Sequence, residues 1–151
     1  MPRMRGVSLI EVLVAVLFLG VLTASVSGII SQARRQSMDA YFEFSALQVA
    51  LEPIEILRSF GYRFLESYES HPLPGYPLGW SDVRNGPTGV QRPVECESFS
   101  RQITKELVTD PSGTGPKAIR LTVTVVPQAM SRLAVFLSRK SVTVEALVVE
   151  R

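Results

Sequence analysis

With 151 residues, the chain has room for one soluble domain and one membrane segment. A formal net charge of +2 is too small to imply a nucleic-acid partner. A single cysteine, Cys96, allows no internal disulfide, and with a single histidine, His71, the usual nucleophile–base pairs and metal-ligand sets are hard to build. No enzymatic activity, metal or cofactor is therefore expected.

The first six residues, Met1-Pro2-Arg3-Met4-Arg5-Gly6, are short and basic. Val7-Ser8-Leu9-Ile10 follows, then Glu11, and from Val12 to Ile30 there is no charged residue. About 20 apolar residues span the hydrocarbon core of a bilayer, so residues 7–31 are long enough to cross it. A secretory signal peptide fits less well, because the apolar stretch exceeds the usual ~7–15 residues and carries an acid at its head. Arg3, Arg5 and the starting amine favour a cytoplasmic N-terminus; Arg34 and Arg35 on the far side oppose this without reversing it. The unusual feature is Glu11. A carboxylate at a helix centre in a membrane costs about 2.5–3.5 kcal/mol on insertion scales, and nothing in the apolar run offers it a partner. A partner from another chain accounts for it best.

The residues around that charge form a pattern. Gly6 followed by Val7-Ser8-Leu9-Ile10-Glu11-Val12-Leu13-Val14-Ala15 resembles the N-terminus of type IV prepilins and of the pseudopilins of type II secretion. In that family a membrane peptidase cuts after the glycine, the new amine is methylated, and the acid falls at the fifth mature position. The resemblance thus implies cleavage between Gly6 and Val7, N-methylation of Val7, and Glu11 as the residue that pairs with a neighbouring subunit's amine and sets axial register. The first mature residue, commonly Phe or Met in the family, is here Val7. Gly20 and Gly28 stand where related pilins carry residues that let the helix extend on assembly. Glycine costs about 1 kcal/mol against alanine in a helix, so softening there and close helix packing are both open readings.

Beyond the apolar run the helical pattern continues over residues 32–61. Ala33, Ser37, Ala40, Phe44, Leu47, Leu51 and Ile54 recur at alternating spacings of four and three, which predicts one core-facing stripe. Arg34, Arg35, Asp39, Glu43, Gln48, Glu52 and Glu55 occupy the other faces. Pro53 removes a helical hydrogen bond and predicts a kink or break. Gly61 reads as the residue just past the helix end.

Residues 62–98 are punctuated by proline and glycine and read as a long, variable loop with one short element near Trp80. Tyr68, Tyr76 and Trp80 either form a contact patch or pack back onto the sheet, the second being preferred. Cys96, between Glu95 and Glu97, reads as a structural thiol with a raised pKa.

Residues 99–151 read as sheet. Ser100–Val108 is one strand; Thr109–Pro116 is dense in turn formers; Ala118–Val126 alternates apolar and polar. Pro127–Arg132 turns the chain, and Ala134–Leu137 and Ser141–Val149 supply one or two more strands. Val142, Val144, Ala146 and Val148 should share one face. The fold class expected is α+β: a long N-terminal helix, membrane-spanning and then amphipathic, on a C-terminal antiparallel sheet of three or four strands. That layout also resembles minor pilins.

The resulting expectation is a minor type IV pilin-like structural subunit, held in the bacterial inner membrane by a single pass with its N-terminus cytoplasmic. It would later join a periplasmic or extracellular filament. A minor pseudopilin of type II secretion and a DNA-uptake pilin are the alternatives. Implied partners are the prepilin peptidase, other major and minor pilin subunits, the inner-membrane assembly platform, and membrane lipid before assembly. Nucleic acid is not expected, since Arg34-Arg35, Arg132 and Arg139-Lys140 form no stripe interleaved with aromatics.

Overall fold

The computed structural model describes residues 8–87, 92–109, 117–128 and 141–150. In chain order these form helix α1 (Leu9–Glu66), strand β1 (Gly79–Asp82), two short 3-10 turns (Val83–Asn85 and Val94–Ser98), and strands β2 (Phe99–Val108), β3 (Ala118–Pro127) and β4 (Val142–Val149). The anticipated strand at 134–137 and turn at 110–116 lie outside the described residues. The chain divides into two compact units, Met1–Met38 and Asp39–Arg151, with α1 contributing to both.

In the second unit the strands form one sheet in the order β1-β2-β3-β4, antiparallel at every pairing. The architecture is the expected α+β arrangement, with four strands. Side chains alternate across the pleat. Ile103, Leu121, Val123 and Val125 are buried against α1, and Val142, Val144, Ala146 and Val148 share that face, as their spacing predicts. The opposite face carries Gln102, Thr104, Thr122, Thr124 and Thr143 and stays open.

The helix stripe under the sheet is not the expected one. Phe42, Ala46, Val49, Ala50, Pro53, Ile54 and Leu57 are buried. Of the seven positions predicted to face the core, Ile54 alone is buried; Phe44 is 59 % exposed and Leu47 also faces outward. The helix carries two apolar faces, and the sheet covers the one bearing Ala46 and Ala50, whose small side chains let the strands approach closely.

Pro53 does not break the helix. The only non-helical backbone within α1 is at Gly61 (φ 78°, ψ 178°). The proline ring is fully buried, so apolar burial offsets the hydrogen bond its missing N–H forgoes. Gly61 does interrupt the helix where expected, at a positive φ that glycine adopts without a Cβ clash. However, the chain re-enters the helix for another turn, through Glu66. That turn is kept because Tyr62 and Leu65 are buried in the core. The Lys105 ammonium, reaching from β2, also donates to the carbonyls of Leu65 and Glu66, 3.2 Å each, at the negative end of the helix dipole.

The rotated stripe makes a direct prediction. In urea unfolding of the full chain in detergent, Leu57→Ala should cost about 2–5 kcal/mol, as buried leucines do. Phe44→Ala should stay within ~0.5 kcal/mol, the usual range for exposed sites. The reverse order would restore the stripe read from the sequence.

Candidate assembly surface

Helix α1 opens where Ser8 supplies its carbonyl to the backbone N–H groups of Glu11 (2.9 Å) and Val12 (3.2 Å). Glu11 lies in the first turn, where a negative charge suits the positive end of the helix dipole. From Leu9 to Met38 every side chain is exposed in this chain. Among the described residues α1 is the one helix long and apolar enough to cross a membrane, and none of its most apolar stretch is buried. Four hydroxyls of that stretch are satisfied within the helix. Thr23 donates to the carbonyls of Leu19 (3.0 Å) and Gly20 (2.9 Å), while Ser25, Ser27 and Ser31 each donate 2.8 Å to the carbonyl four residues back. Such bonds let hydroxyls sit in an apolar medium without stranding a donor.

Gly20 and Gly28 lie inside unbroken helix, each with open space where a side chain would be. Gly6 and Val7 are outside the described residues. His71 is exposed.

The second unit has its own uncovered helix face. Tyr41, Phe44 and Leu47 are exposed, and beside them a groove of about 540 Å³ runs between α1 and the second 3-10 turn, lined by Tyr41, Phe44, Leu51, Ile56, Pro93 and Cys96. Cys96 forms part of the groove wall but is itself buried. Its thiol pKa is raised chiefly by burial, with the Glu95 charge adding to it. Of the two flanking carboxylates only Glu95 contributes, as the lesser cause.

Beneath this face lies a polar cluster that no motif announced. The Glu52 carboxylate on α1 accepts from the Tyr76 hydroxyl at 2.5 Å and from two nitrogens of Arg92, Nε at 2.8 Å and Nη2. Arg101, on β2 and fully buried, stacks its guanidinium 4.7 Å from the Tyr76 ring centre and donates to the Gly75 carbonyl at 2.6 Å. The buried Tyr68 hydroxyl donates to the Tyr76 carbonyl at 2.6 Å and accepts from the Leu73 N–H at 3.3 Å. Helix, loop and sheet are tied through these groups. Tyr68 and Tyr76 pack inward as preferred; Trp80, 56 % exposed, does not. A sequence clue to the cluster existed in Arg101, a charge at an inward position of β2 between Phe99 and Ile103.

No known protein family matches the chain, and no curated protein or solved structure is significantly similar to it.

The cluster predicts how stability depends on pH. Burial alone would raise the Glu52 pKa, but the hydrogen bonds from Arg92 and Tyr76 and the charges of Arg92 and Arg101 outweigh it and hold the carboxyl below its ordinary value of 4.5. A depressed pKa means that the unfolded state binds the proton more readily. The contribution of Glu52 is therefore present above that ordinary value and lost as pH falls through the folded one. Tyr76 is pushed up to about 12 by burial and by its bond to Glu52, so its contribution fades as pH rises from 10 through that value. Glu52→Gln should cost roughly 1–3 kcal/mol at neutral pH and flatten the acid limb of a urea-stability profile. An unchanged acid limb would show that Glu52 does not govern it.

Proposed function

We propose that this protein is a pilin-like structural subunit of minor type. It is cut between Gly6 and Val7, held in a membrane by the apolar part of α1, and assembled into a filament through that helix. The observation that carries this reading is a long, exposed apolar helix with one carboxylate, Glu11, in its opening turn and no charge from Val12 to Ala33. Lipid accommodates the apolar side chains but offers Glu11 no counter-charge. A bundle of like helices accommodates both, because the free amine of Val7 from one subunit can meet Glu11 of the next. Such a pair adds little net stability; it acts through the cost of breaking it.

The exposed Tyr41, Phe44 and Leu47 face supports the same reading. It gives the head a second apolar helix surface, suited to a neighbouring subunit after the head's own core is complete. The helix–sheet head then selects which subunits lie above and below.

Mass spectrometry of the N-terminal peptide tests the processing step, with membrane and sheared-surface fractions compared. A peptide beginning at N-methylated Val7 is expected. In the sheared fraction it marks a displayed filament; confined to membranes it marks a basal minor subunit or a pseudopilin. A start at Met1 would overturn the proposal. Glu11→Ala should leave cleavage intact and lower the assembled fraction at least about tenfold, since stranding a buried charge costs roughly 3–5 kcal/mol. Normal assembly of that variant would remove Glu11 from the register role.

A further inference from the structure

The edge of the sheet opposite β4 carries a groove unrelated to the helix faces. Trp80 and Asp82 stand two residues apart on β1 and therefore project from the same face, where they register with Gln102 and Ser100 of β2. The row that begins at Trp80 continues through Gln102 and Thr124 to Thr143, whose hydroxyl lies 3.1 Å from that of Thr124. It is thus an indole followed by an amide and two hydroxyls, with no charge across four strands.

Next to Trp80 the surface drops into a groove of about 830 Å³, walled by Pro72, Leu73, Pro74, Gly75 and Pro77 and floored by Ser81. The wall is held from beneath. Buried Arg101 grips the Gly75 carbonyl, and buried Tyr68 grips the Leu73 N–H and the Tyr76 carbonyl. Gly75 sits at φ 84° with its Cβ position closed by Pro87. A groove built on prolines and buried anchors is preorganised, so a ligand pays little to order it. On the groove's other side the Ser100 hydroxyl donates to Asp82 Oδ1 at 2.9 Å and orients the carboxylate. Asn85 is exposed beside it, its amide without a hydrogen bond among the described residues.

We propose that this groove binds an N-acetylated glycan strand of the β-1,4-linked hexosamine type found in bacterial cell walls. An exposed indole offers a flat apolar face to the C–H side of a pyranose ring. Asp82 accepts an acetamido N–H, Asn85 donates to the acetamido carbonyl, and the proline wall receives the methyl group. The uncharged row from Gln102 to Thr143 meets the hydroxyls of the following sugars. The choice of a wall glycan, rather than another polymer with the same group, rests on the proposed placement of the head outside the cytoplasm.

Trp80 is the only tryptophan in the chain, so its fluorescence reports on the groove alone. The full chain, in a detergent without a sugar head group, is titrated with the tetramer of N-acetylglucosamine and, separately, with the glucose tetramer cellotetraose. Saturable change in Trp80 emission with the first, and at least about tenfold weaker binding of the second, is expected. By calorimetry, Trp80→Ala and Asp82→Ala should each weaken tetramer binding at least about tenfold, while Leu147→Ala, exposed on the same sheet face at β4, leaves it unchanged. Purified cell-wall sacculi should pellet the wild-type chain and not Trp80→Ala. No saturable response up to about 10 mM tetramer, equal binding of cellotetraose, or binding indifferent to Trp80 would each overturn the site. Tetramer binding without retention by sacculi would overturn the wall glycan as its ligand. None of these measurements depends on cleavage at Gly6, so a chain that is processed at Val7 but ignores the tetramer refutes the glycan site and leaves the filament proposal standing.

Discussion

A four-stranded sheet has one apolar face to give to a helix, and the helix can be covered along only one stripe. In the second unit that stripe runs from Phe42 through Ala46, Val49 and Pro53 to Leu57. Tyr62 and Leu65, past Gly61, join the same core, and the apolar side chains ahead of Gly61 that lie off the stripe are left wholly or partly uncovered. Tyr41, Phe44 and Leu47 are left outward in the second unit, and every residue from Leu9 to Met38 in the first is exposed. The proposed function rests on this shortage of cover. A soluble protein gains nothing from so long an uncovered apolar helix, whereas a subunit that moves from lipid into a helical bundle uses it twice.

The head is held together by a second kind of constraint. One carboxylate, Glu52, serves two donors from distant parts of the chain, Tyr76 and Arg92, while Arg101 beside them is fully buried, its Nε and Nη1 without a hydrogen bond among the described residues. Burying a guanidinium is expensive unless its surroundings are strongly polarised. Here Glu52 and the Tyr76 ring supply that polarisation, and Arg101 in turn supports Gly75 and the loop that follows α1. A proline-rich stretch that would otherwise be free to vary in conformation thereby acquires a fixed path along the sheet edge.

The sequence made the strands legible because β-branched alternation in Ala118–Val126 and Ser141–Val149 has a period that only a half-buried strand satisfies. It also showed the lone carboxylate at Glu11 and the interruption at Gly61. It misled on the helix face. Periodicity reveals that a stripe exists but not which of two stripes a sheet will choose, and it points to the bulkier one, with Phe44 and Leu47. Close packing favoured the stripe with Ala46 and Ala50. Pro53 misled for a related reason: local rules count the lost hydrogen bond but not the burial that the ring gains. Beyond the clue in Arg101, the cluster was not legible, because Tyr76 and Arg92 lie 24 and 40 residues from Glu52 in sequence, and only the folded loop brings them together.

The clasp at the end of α1 has a mechanical consequence. Gly61 interrupts the helix a few residues before its last turn, and a glycine linkage is where a pulled rod would bend first. Lys105 lies beyond it, donating to the final carbonyls from the middle of β2, and it also lies 3.3 Å from Glu69 in the segment that follows. Tension along the helix that passes Gly61 is therefore delivered to a central strand rather than to a loop. The head thus holds its helix on both sides of that link, by the buried stripe from Phe42 to Leu57 before it and by Lys105 after it, so the link can flex without letting the head go.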